Sequence, residues 1–310
     1  AADAAQEWPP KQGDEAVLEL ASDWALSHGL VLRPPTSSTD AAYTRPGQSV
    51  IHAPYALYPS AFPRKLFQQA IDLQAAYNRL YADVTVDDAF LDQVIGGAVS
   101  KVDEFQGRLY DIWKQVKKEG IRQAAILPSL HDGAIPKFAD QKQPPVAQPL
   151  ALGLFRSDYL VHAPADLPSS EHTIKQVEFN TISASFASLS TRVGELHRCV
   201  VAHCFADLVL LALRVPQRTR ALILTPPGSY LEASGIYPAH PQLSHAALPE
   251  NGALAGLASG LAAAHKAYGN DKAVVMMVTQ DNERNAFDQW PLAHELLRTC
   301  VVALSCTCTV

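Results

Sequence analysis

Apolar residues recur at helical spacing near the start of the chain. Val17, Leu18, Leu20, Ala21, Trp24, Ala25 and Leu30 fall on a period close to 3.6, which predicts a helix over 15–33. A Pro-rich linker over 34–63 follows, ending in Pro59-Ser60-Ala61-Phe62-Pro63. Two further helices are predicted over 64–82 and 86–119. The second carries Phe90, Val94, Val102, Phe105, Leu109, Ile112 and Val116 on one face, with Gly120 at the C-cap. Prolines at 128, 136, 144, 145 and 149 make 124–149 an unusually long loop or insertion. Short strands are predicted over 150–155 and 174–180, then a Leu-, Val- and Ala-rich helix over 188–213. Residues 216–251 read as irregular, with 221–225 as a possible short strand. A helix over 254–268 closes at Gly269, and the run around Ala273-Val274-Val275-Met276-Met277-Val278 reads as a strand buried on both faces. Helix, glycine and buried strand in succession indicate an α/β layer with parallel strands.

The strand predicted over 174–180 is the most informative. Alternation puts Val177 and Phe179 on the core face, while Glu178 and Asn180 project together on the other. A carboxylate beside a carboxamide is a pair of hard oxygen ligands, suited to a magnesium ion that also holds phosphates. Thr181-Ile182-Ser183-Ala184-Ser185 adds hydroxyls and backbone donors beside it. A solvated Glu at a strand end explains the same pattern. Two further segments follow predicted strands. Arg156, in Arg156-Ser157-Asp158-Tyr159, is either a fork for a substrate carboxylate or the ion-pair partner of Asp158. Glu283, Asn285 and Gln289 suit an amino-acid ammonium and amide, or form a solvated helix start with Asn282 as N-cap.

Composition narrows the partners. The 310 residues are 48% hydrophobic and 18% charged, enough for two domains and a sizeable core. The net charge of −6 gives no reason to expect nucleic acid or an anionic membrane surface as a partner. No apolar run approaches the ~20 residues of a membrane helix. The start lacks a Met and a signal-peptide core, and is read as incomplete. The five cysteines all lie from Cys199 onward, an odd count that argues against a disulfide framework and for a reducing, cytoplasmic location. His197, Cys199, His203 and Cys204 are read as ordinary helix residues, because Cys199 and His203 share a face but His197 and Cys199 do not.

Taken in order, Arg156-Ser157-Asp158-Tyr159, Glu178-Phe179-Asn180-Thr181-Ile182-Ser183-Ala184-Ser185-Phe186 and Glu283-Arg284-Asn285 before Phe287-Asp288-Gln289 resemble the eukaryotic-type glutathione synthetase. Asp111-Ile112-Trp113-Lys114-Gln115-Val116 and Ala267-Tyr268-Gly269 fit the same family, so the likeness runs from 15 to 297 outside the loops. The resemblance implies an ATP-grasp ligase of the α/β class with α+β elements, a cytoplasmic homodimer. ATP phosphorylates γ-glutamylcysteine at its terminal carboxylate, and glycine's amine then displaces phosphate. It further implies that Glu178 and Asn180 bind Mg2+, Glu178 also lying near the ATP phosphates. Arg156, Ser183, Ala184, Ser185, Glu283, Arg284, Asn285 and Gln289 contact the dipeptide. No side chain is expected to act as a catalytic nucleophile.

On this footing the chain divides into an N-terminal helical region (1–123), the Pro-rich insertion (124–149) and a strand–helix part of the ATP-grasp core (150–215). An irregular loop (216–251), a partial parallel-sheet substrate-binding domain (252–298) and a tail (299–310) follow. The family's Arg-Asp-Gly-Tyr segment, nucleotide-binding lysines, third metal carboxylate and Gly-rich lid have no counterpart here. The tail and the insertion are read as out-of-frame or intron-derived sequence. The ATP-grasp fold is therefore expected to be incomplete and the chain inactive as it stands. The alternative is a non-catalytic form that pairs with an intact synthetase.

Overall fold

The first helix ends earlier than its apolar period suggests. Helix α1 spans Glu15–Ser27, because Gly29 adopts φ 77° and turns the chain into the left-handed region. Leu30 N–H then donates to the Ala25 carbonyl at 2.9 Å, the six-to-one bond of a Schellman cap. Leu30 continues the apolar spacing as the buried residue after that cap, not as part of the helix. The chain proceeds into β1 (Val31–Leu32), which pairs antiparallel with β2 (Ile51–His52). The stretch expected to be linker thus contains a strand.

The computed structural model describes residues 15–35, 49–60, 62–118, 125–126, 150–212, 247–280, 283–299, 301 and 303–308. The chain forms two units, one of 1–61 with 185–310 and one of 62–184. Gly120, most of the Pro-rich insertion and the 221–225 strand lie outside the described residues.

In the second unit, α2 spans Arg64–Val84 behind Pro63. The single helix expected over 86–119 is broken into α3 (Asp88–Leu91), a π turn (Asp92–Gly96), a 3₁₀ turn (Val99–Lys101) and α4 (Glu104–Lys118). Asp87 and Asp103 each accept a backbone N–H at a new helix start, from Phe90 at 3.0 Å and Gln106 at 2.9 Å. Glycines make the fold-back possible. A Cβ on Gly96 would collide with the Tyr110 ring, and one on Gly107 would meet the Ser100 carbonyl oxygen at 2.9 Å. The supposed apolar face does not form a buried seam: Val102, Phe105 and Ile112 are exposed.

Strands β3 (Ala125–Ile126) and β4 (Leu150–Ala151) pair in parallel, and β5 (Arg156–His162) pairs antiparallel with β6 (Thr173–Asn180). The strand expected over 150–155 therefore covers two residues, and Arg156 to Tyr159 lie within a strand instead of beyond one. The alternation in β6 is also interrupted. Asp158 faces Glu178 but Tyr159 faces Gln176, so Val177 is the extra residue of a bulge. Val177, expected in the core, is 60% exposed. The bulge exchanges the faces. Ile174, Gln176 and Phe179 share the half-buried side with Ser157 and Tyr159, while Glu178 and Asn180 share the other with Arg156 and Asp158. Phe179 is the apolar anchor, stacked on Tyr81 with ring centroids 3.9 Å apart and 5.1 Å from Phe155.

The first unit resumes with α5 (Ala187–Ala212) and α6 (Ala253–Tyr268), the latter closed by Gly269 at φ 74° as expected. Next come β7 (Val275–Gln280), α7 (Ala286–Arg298) and β8 (Ala303–Cys308), with β7 and β8 parallel. The parallel α/β layer is present. One expectation about it changes. Met276 and Val278 are 65% and 60% exposed, so β7 is covered on one face only. The tail, to which no element was assigned, supplies β8, which pairs along all of β7. The core of this unit is Val17, Ala21, Ala25, Leu30 and Ala53 against Leu189, Leu196 and Val200 of α5. Among the described residues no helix is long and apolar enough to cross a membrane.

Candidate functional site

The bulge at Val177 places four polar side chains on one face of β5 and β6. Arg156 lies opposite Asn180, and Asp158 opposite Glu178. Arg156 grips Asp158 through both prongs of its guanidinium, Nε to Oδ1 at 2.8 Å and Nη2 to Oδ2 at 3.0 Å. The same Nη2 stands 3.6 Å from Glu178 Oε1. Asn180 Nδ2 donates to Glu178 Oε1 at 3.0 Å and lies 3.5 Å from Asp158 Oδ2. The ion-pair reading of Arg156 and Asp158 is therefore realised, and the two carboxylates with the amide form one cluster around it.

The Arg156 guanidinium holds the Asp158 carboxyl below its ordinary value of 3.8. A lowered folded value means the pair stabilises the fold above the unfolded carboxyl's pKa and is lost as pH falls through the folded one. In thermal melts at a series of pH values, the difference between wild type and Asp158→Asn should stay constant above about pH 5 and shrink below about pH 4. A difference that grows on acidification would contradict the pairing.

The donor set suits a hard divalent cation. Two carboxylates and a carboxamide oxygen, between about a third and a half exposed, could hold Mg2+ while leaving positions for phosphate oxygens and water. The amide would turn about its last bond to present Oδ1 in place of Nδ2. Among the described residues no group of three or more His, Cys, Asp and Glu could hold a metal by itself. His197 Nε2 is 2.8 Å from the Ala56 carbonyl, and burial pushes the Cys199 thiol up.

Beyond β6, Ser183 takes φ 50° and Phe186 φ 70°, a doubly left-handed path that leads into α5. Ser183 is exposed, and Ala184 and Ser185 are half-buried. The start of α5 is held by a residue to which no role was assigned from sequence. Asp288, in the first turn of α7 and 7% exposed, accepts N–H bonds from Phe186 at 2.6 Å and from Ser188 and Leu189 at 3.0 Å. Ser188 Oγ donates back to the Asp288 carbonyl at 2.6 Å. A remote carboxylate thus does the work usually given to a Ser or Asp at the N-cap itself. The only signal in sequence was an Asp inside an otherwise informative string.

Glu283 links Asn285 and Gln289 by hydrogen bonds. Glu283 Oε1 accepts the Asn285 N–H at 2.8 Å, and Oε2 accepts from Gln289 Nε2 at 3.2 Å. The N-cap position of α7 is Asn285, with no side-chain cap bond; Asn282 lies outside the described residues. Arg284 is tied to the end of the first hairpin. Its carbonyl accepts the Arg33 N–H at 3.1 Å and its Nε donates to the Arg33 carbonyl at 3.2 Å.

Comparison with known proteins gives the family. A family model of the eukaryotic glutathione synthase ATP-binding domain matches residues 11–221. The chain is 34% identical over 285 residues to the glutathione synthetase of Rattus norvegicus, covering 91% of this chain and 45% of the rat protein. It is 29% identical over 308 residues to the glutathione synthetase large chain of Schizosaccharomyces pombe, covering 94% of this chain and 49% of that one. The chain thus spans about half the length of these relatives. A solved glutathione synthetase-like effector from Globodera pallida, in its apo form, superposes with a TM-score of 0.59 at 23% identity, covering 96% of this chain and 51% of the effector. At that identity the likeness concerns the fold.

Proposed function

The chain belongs to the eukaryotic glutathione synthase family, and from that premise we propose that it contributes the magnesium- and dipeptide-facing part of an ATP-dependent ligase joining γ-glutamylcysteine to glycine. The observation that carries this reading is the Arg156, Asp158, Glu178 and Asn180 cluster on one strand face. Glu178 and Asn180 are the residues that would hold Mg2+, Glu178 being the closer to the nucleotide. When bound, the cation offsets charge on the transferring phosphoryl group.

In the proposed reaction the terminal carboxylate of γ-glutamylcysteine takes the γ-phosphoryl of ATP, releasing ADP. The glycine amine attacks the resulting acyl phosphate, loses a proton, and expels phosphate. The protein's part is to hold and orient. Arg156 offers a planar fork to a dipeptide carboxylate, and Ser183, Ala184 and Ser185 are assigned as further donors to the dipeptide. Further dipeptide contacts are assigned to Glu283, Arg284, Asn285 and Gln289; the Glu283 carboxylate, held by the Asn285 N–H and the Gln289 amide, has its direction pre-set. A cytoplasmic location and pairing with a second synthetase chain belong to the same proposal. Exposed Phe105, Leu109 and Ile112 on one face of α4 support the pairing.

Calorimetric titration with γ-glutamylcysteine under reducing conditions tests the reading. Arg156→Met should weaken binding at least about tenfold, the worth of a charge-assisted pair of hydrogen bonds. Equal affinity in the two proteins would overturn the assignment of Arg156.

A further inference from the structure

The strand-face cluster already contains a cation, and it belongs to the protein. The Arg156 guanidinium is bonded to both Asp158 oxygens and stands 3.6 Å from Glu178, so one positive group is shared by the carboxylate a metal would need and its neighbour Asp158. The carboxamide is turned the same way. Asn180 directs its N–H₂ at Glu178 and toward Asp158, a donor where a metal ligand must be an acceptor. Both features describe carboxylates satisfied by protein donors, with no oxygen-rich vacancy between them.

Resting on the reading above, we infer that Arg156 is a surrogate cation that holds the Asp158–Glu178 carboxylates until a dipeptide carboxylate draws it away, so that dipeptide and divalent metal bind with positive coupling. Arg156 then has two carboxylate partners to choose between, one in the protein and one in the substrate. While it stays on the protein, its charge opposes a divalent ion a few ångströms off and its side chain fills the approach. Once the substrate carboxylate takes the guanidinium, the protein carboxylates lose their counter-charge, and the Asn180 amide is freed to turn its oxygen outward. Because binding free energies are reciprocal, metal must tighten dipeptide by the same factor that dipeptide tightens metal. The sequence of events keeps a metal–nucleotide complex from being strongly held before the acceptor of its phosphoryl group is in place.

The inference reverses the sign expected of a simple binding residue. Removing Arg156 should weaken the dipeptide but strengthen the metal. With the cluster only about a third to a half exposed, a unit charge about 5 Å from a divalent ion, screened nearly as in water, changes affinity roughly tenfold. Free Mn2+ measured by electron paramagnetic resonance, as a stand-in for Mg2+, reads this without any activity assay. The proteins compared are wild type, Arg156→Met and Glu178→Gln, each with and without γ-glutamyl-α-aminobutyrate, a dipeptide without a metal-binding thiol.

Arg156→Met should bind Mn2+ about tenfold more tightly than wild type, the dipeptide should tighten Mn2+ in wild type, and that effect should vanish in Arg156→Met. Unchanged or weaker Mn2+ binding in Arg156→Met, with binding abolished in Glu178→Gln, would overturn the surrogate role while leaving the metal reading standing. Wild-type Mn2+ affinity in Glu178→Gln would overturn both. Should Arg156→Met fail to fold, the wild-type titrations decide, and absence of coupling between dipeptide and Mn2+ refutes the inference.

Discussion

Asp288→Ala is expected to lower the unfolding midpoint by about 10 °C, corresponding to roughly 3 kcal/mol. The carboxylate accepts three backbone N–H groups at the start of α5, and those of Ser188 and Leu189 are buried. Truncation strands these donors away from water, which costs more than the loss of an ordinary exposed cap. It also removes a negative charge from the positive end of a 26-residue helix. Asp288→Asn keeps one acceptor oxygen and the side-chain shape, so about half of the loss is expected. Differential scanning calorimetry of the two variants is the check. A shift for Asp288→Ala no larger than that of an exposed substitution would show that the helix start is satisfied in another way.

Leu196→Ala is expected to cost about 3 kcal/mol through a cavity in the first unit. Leu196 is fully buried, and its surroundings include Ala21, Ala25 and Ala53, which have no flexible side chains with which to fill the space. Substitution by Met, similar in volume, should cost less than about 1.5 kcal/mol. Ile112→Ala provides the contrast, because Ile112 is 55% exposed and its loss should stay within about 0.5 kcal/mol. Urea unfolding should show the Leu196→Ala midpoint falling at unchanged slope. A change in slope would instead indicate altered compactness of one end state.

Much of the fold was legible where periodicity and termination signals agreed. The helix over 254–268 and its Gly269 cap are the clearest case, with an apolar period and a stop signal in adjacent residues. In α1 they disagreed, since the period ran through Leu30 while Gly29 had already turned the chain. The stretch over 86–119 failed for a related reason. Its spacing is helical, but Gly96 and Gly107 admit close approach of other groups, a tertiary event that no local period records. In β6 strict alternation placed Glu178 and Asn180 on one face correctly and Val177 incorrectly, because a bulge preserves the pattern on one side of itself and inverts it on the other.

The candidate site shows the same division. Arg156, Glu178 and Asn180 could be proposed from residue chemistry and from the family strings, and the register of β5 and β6 brings them together. Asp158 was visible only as a competitor for Arg156, although it is the best-connected carboxylate of the cluster. Asp288 was illegible as a cap, because its partners lie about 100 residues away in sequence. The strand in the tail over 299–310 was not legible. Its Thr- and Cys-rich letters resemble no part of the family pattern, yet their strand propensity is sufficient to pair with β7.

The 100-residue separation between Asp288 and the helix it caps also sets a clock on synthesis. At roughly 5–20 residues per second, the first turn of α5 leaves the ribosome some 5–20 s before the carboxylate that completes it. During that interval the bare amide ends of the helix and its apolar face toward α1 must be tended by water or by chaperones. Slowing translation between these two points should lengthen the vulnerable period, and so lower the soluble yield without altering a single contact of the finished molecule.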